Sequence, residues 1–372
     1  MIFRAVPGAH ALVAFLIASA QSPHDGQATN TVRQLELKPR DPVTLPINAA
    51  GSVVSGIFRC TSDHSVFVQV LPSAPPSAPL HNFTSTDFAL YGIRSPTDIV
   101  RFEPALVSGY ARLSPIARYF ATDSRVLAMA YGVPTNHGDT GVSSSENRVD
   151  RLLLNFDRKG SLLNSMTLDP SLETQQIASF PDGEVLLVTW DEIHKQTHLT
   201  VLGHEGRVDH DIPITSSDPA RVVLDSFNEL LDLQIRPYGQ NLLLIPADVR
   251  QPILEVSDGG VVNQYSLRVP AEFKRGMPIS LSPAGWFFRM IPEQKAVQSD
   301  APTDSQATGL ASAMSIPGVI LEFDPSSGEA VRQFNVSTPG MEPACVSDGE
   351  FVFLTARASD SRLQLATALI PN

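Results

Sequence analysis

Apolar residues along this chain come in short runs, and most runs follow directly on turn-forming residues. The stretch from Gln175 to Ile214, QQIASFPDGEVLLVTWDEIHKQTHLTVLGHEGRVDHDIPI, shows the pattern best and predicts four short strands. Gln176–Phe180 is the first, and Pro181-Asp182-Gly183 turns the chain with a glycine that tolerates positive φ. Glu184–Trp190 follows with the apolar run Val185-Leu186-Leu187-Val188; polar residues Asp191–Thr197 then connect to His198–Leu202. After Gly203-His204-Glu205-Gly206 the fourth strand, Arg207–Ile214, alternates. Val208, Ile212 and Ile214 fall on one face, with Arg207, Asp209 and Asp211 on the other. A continuous apolar run marks a strand buried on both faces, and alternation marks a half-exposed one.

The unit recurs. Ser62-Asp63-His64 precedes Val66-Phe67-Val68, and Thr122-Asp123-Ser124 precedes Val126–Met129. Tyr238-Gly239-Gln240-Asn241 precedes Leu242–Ile245, Pro283-Ala284-Gly285 precedes Trp286-Phe287-Phe288, and Ser347-Asp348-Gly349 precedes Phe351–Leu354. With the unit above this makes six copies at a spacing of roughly 45–65 residues, somewhat longer than usual for propeller repeats. A second turn recurs at Phe156–Gly160, Ser257–Gly260 and Phe323–Gly328. On these turns and runs the chain resembles the six-bladed β-propellers, a broad group that includes TolB-like and NHL-like proteins. The resemblance is one of blade architecture and spans nearly the whole chain after its N-terminal segment. It implies an all-β fold of six four-stranded antiparallel blades, and it implies no catalytic residue. Seven blades, splitting the stretch from Gly56 to Arg151, is the alternative.

The ends bear on closure. The last copy offers only three strands, the third being Leu363–Leu369, while Val32–Leu37 is a spare strand candidate near the start. An exposed sheet edge needs cover, so Val32–Leu37 is expected to complete blade six. Residues Pro39 to Pro46 carry three prolines and read as a connector. Asp218-Pro219 suits the N-cap and first position of a short helix over Ala220–Leu231. Glu293–Pro317 is rich in Ser, Ala, Thr, Asp and Gln and reads as a low-complexity insertion.

Composition narrows the function classes. Of 372 residues 18% are charged, with a formal net charge of -12 from 27 basic and 39 acidic residues. Such a balance disfavours nucleic acid and anionic lipid as partners. Met1–Arg4 followed by the apolar run Ala11–Ala20, ending in Ala18-Ser19-Ala20, reads as a signal peptide over residues 1–20 cleaved before Gln21. Residues 21–31 read as a polar linker and 32–372 as the propeller. The run is too short to span a bilayer comfortably, and no second run has membrane length. The expectation is a monomeric, exported protein, periplasmic or extracellular, with no stable membrane insertion.

The chain lacks a Gly-x-Ser-x-Gly elbow, a Gly-x-Gly-x-x-Gly loop, a phosphate-binding loop and a Cys-x-x-Cys pair. His194 and His198 flank a polar hairpin, and His204, Glu205, Asp209 and His210 fall at an outer edge, so both groups read as solvated turns rather than metal ligands. No cofactor or metal is expected. The favoured reading is a non-catalytic binding or scaffold protein of the cell envelope, taking a protein partner or a polar small molecule. The alternative is a lactonase-like hydrolase with a metal in the central channel, which needs several converging oxygen ligands. The innermost strands offer few carboxylates for that.

Blade topology puts the turns after strands one and three on one face of the disc, and here they are tight. The connections on the other face hold the long segments Pro72–Thr86, Gly132–Arg148, Thr215–Leu230 and Glu293–Pro317. Long loops on a rigid scaffold usually carry binding. Where they enter the inner strands, Tyr110, Glu173, Gln175, Asp232, Lys274, Arg275 and Glu342 are the candidate ligand-binding residues, led by Arg275, Asp232 and Glu342. Cys60-Thr61-Ser62-Asp63 matches Cys345-Val346-Ser347-Asp348. Equivalent positions on neighbouring blades point the same way round the ring, so two free thiols are expected rather than a disulfide.

Overall fold

The computed structural model describes residues 32–48, 59–70, 89–103, 107–135, 149–203, 206–214, 219–225, 233–292, 318–338, 340–356 and 362–371. By its contacts the chain divides into Met1–Thr31, which lies outside the described residues, and Val32–Asn372. The signal-peptide and linker segments, Pro72–Thr86, most of Gly132–Arg148, both ends of Thr215–Leu230 and the 293–317 insertion also lie outside them.

The described residues form six small antiparallel sheets arranged as the blades of a propeller. Blade one holds β3 (Arg59–Cys60), β4 (Val66–Val70), β5 (Ala89–Ser95) and β6 (Asp98–Phe102). Blade two holds β7 (Tyr110–Ala121), β8 (Arg125–Pro134), β9 (Asp150–Asp157) and β10 (Leu162–Thr167). Blade three holds β11 (Glu173–Ser179), β12 (Val185–Asp191), β13 (Gln196–Leu202) and β14 (Val208–Asp211). Blade four holds β15 (Leu233–Tyr238), β16 (Asn241–Pro246), β17 (Ile253–Ser257) and β18 (Gly260–Tyr265). Blade five holds β19 (Phe273–Ser282), β20 (Gly285–Pro292), β21 (Val319–Phe323) and β22 (Ala330–Val336); blade six holds β23 (Glu342–Ser347), β24 (Glu350–Ala356) and β25 (Arg362–Leu369). The first strands β3, β7, β11, β15, β19 and β23 touch one another in that order, and β23 returns to β3, closing the ring.

Closure corrects one expectation. β1 (Arg33–Leu37) does not complete blade six. It adds to the outer strand of blade five, running parallel to β22 in register from Arg33↔Arg332 to Leu37↔Val336. The strand that completes blade six is β2 (Val43–Asn48), antiparallel to β25. β2 contains Pro46 and was hidden in the proline-rich connector. An outermost strand has one edge without ladder bonds, so it accommodates a proline that a central strand would not. Leu45 and Ile47 of β2 are buried between blades six and one.

The core lies between blades. Middle strands are buried on both faces: Val185–Val188 of β12 and Leu242–Ile245 of β16 are all buried. Outer strands are not: Leu163 of β10, Val208 of β14 and Val262 of β18 are exposed. Val208 departs from the alternation expected of blade three. Its register on β13 shifts between Val201 and Leu202, so the apolar set is not kept on one face, and Ile212 is buried while Val208 is not. The predicted helix is α1 (Pro219–Asp225), seven residues long. Ala220, Val223 and Leu224 bury one stripe of it in the core of blade three. Among the described residues no helix is long and apolar enough to cross a membrane.

Candidate functional site

Every blade ends its first strand at the same face, and the six ends surround a cavity of about 770 Å³. Blade one contributes Cys60–Ser62 and His64, blade two Ala121–Ser124, blade three Ser179–Pro181, and blade four Arg236, Pro237, Gly239 and Gln240. Blade five contributes Ile279–Ser282 and blade six Cys345 and Val346. A cavity lined by all six inner strands lies on the ring axis. It opens on the face of the tight turns, because these residues are at the C-terminal ends of the first strands.

Arg236 stands at the bottom of this cavity. It also lines a second, very small space of about 10 Å³ with Met277, Pro278, Ile279, Arg289, Glu342, Pro343 and Ala344. Its guanidinium donates from Nη2 to Gln234 Oε1 at 3.1 Å and to the Pro278 carbonyl oxygen at 3.2 Å. Burial lowers its pKa, and the Cys60, Tyr119 and Cys345 side chains face its charge. A guanidinium stays protonated through such a shift. Arg118 of β7 is also buried and donates from Nε to the Gln175 carbonyl at 2.5 Å. Arg289 of β20 is ion-paired with Glu342 of β23, both nearly buried. Burial raises the Glu342 carboxyl and Arg289 pulls it back only in part, leaving it above the usual range. The inner ring therefore carries three guanidiniums and one carboxylate in these positions, within a chain of net charge -12.

The turns around the opening brace one another. Ser62 donates from its backbone N to Asp123 Oδ1 at 2.8 Å and from Oγ to Oδ2 at 2.6 Å. Arg158, in the β9–β10 turn, donates from Nη2 to Asp63 at 2.8 and 2.9 Å and lies over the Phe67 ring at 4.7 Å. Arg94 adds a bond to Asp63 Oδ2 at 2.7 Å. Burial alone would raise the Asp63 carboxyl. Hydrogen bonds from Thr61, Arg94 and Ser65 and the charge of Arg158 outweigh it and hold the group well below the carboxylate range.

The candidate residues read from the sequence stand toward the opposite ends of the inner strands. Tyr110, at the start of β7, donates to Asp150 Oδ2 at 3.1 Å and hydrogen-bonds Thr167 Oγ1 at 2.9 Å, which turns it onto blade two. Glu173, at the start of β11, lines a groove of about 460 Å³ on blade three with Trp190, Ile193, His198 and Asp211. Gln175 falls where the β11–β12 register shifts, and its carbonyl takes the Arg118 bond. Lys274 and Arg275 are exposed in β19 beside the Asp248 loop, joined through an Asp248↔Arg275 bridge and a Val249 N to Lys274 O bond of 3.1 Å. Glu342 lines the inner space with Arg289. Asp232 lies outside the described residues.

Arg236 escaped the sequence reading, and the two cysteines were read there as free thiols and not as cavity-lining residues. Their signal is positional: each ends a first strand just before a recurrent turn, the one place where all six blades converge. In blade three, His194 Nδ1 lies 2.7 Å from Asp191 Oδ2, and His198 lies 3.8 Å from Asp211 and 4.0 Å from Asp191. Among the described residues no group of three or more His, Cys, Asp or Glu side chains is placed to hold a metal. His204 and Glu205 lie outside them.

No family model matches the chain, and no curated protein matches it. Among solved structures it is similar to a protein of unknown function from Bacteroides caccae, at 11% identity and a TM-score of 0.40, over 75% of this chain and 80% of that one. It is also similar to a catalytically inactive virginiamycin B lyase from Staphylococcus aureus with quinupristin, at 11% identity and a TM-score of 0.37, over 90% and 89% of the two chains. Likeness at these scores carries no functional argument. The chain is a six-bladed β-propeller on its own strand order and ring closure.

Proposed function

We propose that this chain is an exported binding protein of the cell envelope whose channel takes a small polar ligand bearing an anionic group. The observation that carries this is the axial cavity of about 770 Å³ with Arg236 at its base. A concave site of this size with a few convergent polar groups is the usual form of a small-molecule site. Seryl and threonyl hydroxyls of Thr61, Ser62, Thr122, Ser124, Ser179, Ser280 and Ser282 line its walls. A guanidinium held in a low-dielectric recess attracts a carboxylate or phosphate more strongly than one in water. The long-loop face, whose leading candidates by sequence are Arg275 and Glu342, would offer a second end for a partner's loop.

The test is a thermal-shift and calorimetric screen of small carboxylates and phosphates, with divalent metals as a separate arm. Arg236→Met keeps the volume and removes the charge, and is expected to weaken anion binding about tenfold or more. Arg268→Ala, on the outer rim, is expected to leave it unchanged. Binding that survives Arg236→Met but is lost in Arg275→Ala with Glu342→Ala would move the site to the other mouth. A stoichiometric divalent ion would favour the channel hydrolase instead.

A further inference from the structure

Cys60 and Cys345 lie in different blades, yet the fold turns them toward each other. In blade one the inner hairpin closes through a three-residue loop, Ser62-Asp63-His64, with His64 at φ 64°; Thr61 N bonds to Ser65 O, and Cys60 pairs with Val66. In blade six Ser347 pairs with Glu350 across the two-residue loop Asp348-Gly349, both at positive φ, and Cys345 pairs with Val352. Cys60 is thus one residue before the last pair of its hairpin and Cys345 two before. With a side-chain period of two, a step of one reverses the face. The matched tetrapeptides therefore point in opposite directions round the ring, and opposite directions on neighbouring blades converge. Both cysteines pack in one cluster with Val66, Val68, Val352 and Leu354. The Cys60 Sγ donates to the carbonyl oxygen of Ala344, the residue before Cys345, at 3.4 Å. Both are free thiols in the structure, but the premise that they face apart does not hold.

We propose that Cys60 and Cys345 form a disulfide site, an oxidative staple that joins the innermost strands of blades one and six across the seam of the ring. The oxidant is a small disulfide such as oxidised glutathione. One cysteine thiolate attacks it to give a mixed disulfide and release one thiol. The second cysteine then displaces the second thiol, so two protein thiols lose two protons and two electrons and one disulfide is reduced to two thiols. Access is through the axial cavity, which both cysteines line. Burial pushes the Cys60 thiol well above its ordinary value, and the Cys345 side chain adds to this against the charge of Arg236. Thiolate chemistry is slow in such a setting, which fits a structural bond better than a fast sensor.

The test uses the full chain, reduced and then equilibrated with oxidised glutathione in moderate denaturant before refolding. Alkylation followed by mass measurement counts the remaining thiols, and a non-reducing peptide map identifies the link. The expected result is no free thiol, an intramolecular Cys60–Cys345 peptide, and a Tm raised on the order of 5–10 °C that a strong reductant reverses. Cys60→Ser is expected to keep the reduced Tm and lose the redox shift. Two thiols persisting after equilibration, links between molecules alone, or an unchanged Tm with the bond formed would each overturn the proposal.

Discussion

At the scale of residues, two carboxyl groups at opposite ends of the inner strands answer acid in opposite senses. Asp63 is held well below its ordinary range by Thr61, Arg94, Ser65 and Arg158 despite its burial. Its contribution is full above pH about 4 and is lost as pH falls further, because the unfolded chain then takes the proton first. Asp63→Asn is expected to destabilise by about 1–2 kcal/mol at pH 7, partial exposure limiting the figure, and to flatten the acid limb. Glu342 is raised by burial, which Arg289 offsets only in part. Its contribution is present below pH about 4.5 and falls as pH rises through the raised value. Arg289→Met leaves that carboxyl buried without its ion-pair partner, and is expected to cost about 3–5 kcal/mol at neutral pH and less in acid. Urea unfolding of both variants against the parent chain at pH 7, 5 and 3 checks this; a loss that grows on acidification in either variant would contradict it.

At the scale of elements, what the sequence reveals is what turn chemistry and apolar runs can encode. The inner hairpins and buried middle strands are legible because Asp-Gly and related turns stand before runs such as Leu242–Ile245. β2 is not, because Val-Thr-Leu-Pro-Ile-Asn carries a proline that argues against a strand unless the strand is an edge, and edge position is a tertiary fact. The parallel pairing of β1 with β22 leaves no local signature either. The two cysteines are free thiols as expected, but the direction they face turns on one loop residue, a difference that matching tetrapeptides conceal. Since β2 rather than β1 closes blade six, Leu45→Ala is expected to cost about 2–4 kcal/mol, and Leu35→Ala, half-buried on β1, about 1 kcal/mol. Chemical denaturation of the two variants measures this; equal losses would contradict the assignment of the closing strand.

At the scale of the whole molecule, the six-blade ring was legible and the axial cavity was not. Six recurrences of one motif announce a ring, but the polar residues that meet at its axis, mostly serines and threonines with a single arginine, are drawn from six distant places. No contiguous pattern marks them. The proposed export is tested at this scale too. Expression in a bacterial host with fractionation and N-terminal sequencing is expected to find a mature protein beginning at Gln21 outside the cytoplasm. An intact Met1 in the cytoplasmic fraction would contradict it.

Blade six is assembled from two ends of the chain, and this imposes an order in time. Thr44 of β2 hydrogen-bonds Gln364 of β25 across 320 residues of sequence. A ribosome adding about 5–20 residues per second makes β2 wait on the order of tens of seconds for its partner. Through that interval the first blades can form, but the seam cannot, and the edges meant for it stay unpaired. Ring closure therefore has to wait for β25, and its β2–β25 pairing spans the longest sequence separation of the described strand pairs. Until it happens, the chain carries open strand edges, the feature that invites association with other chains.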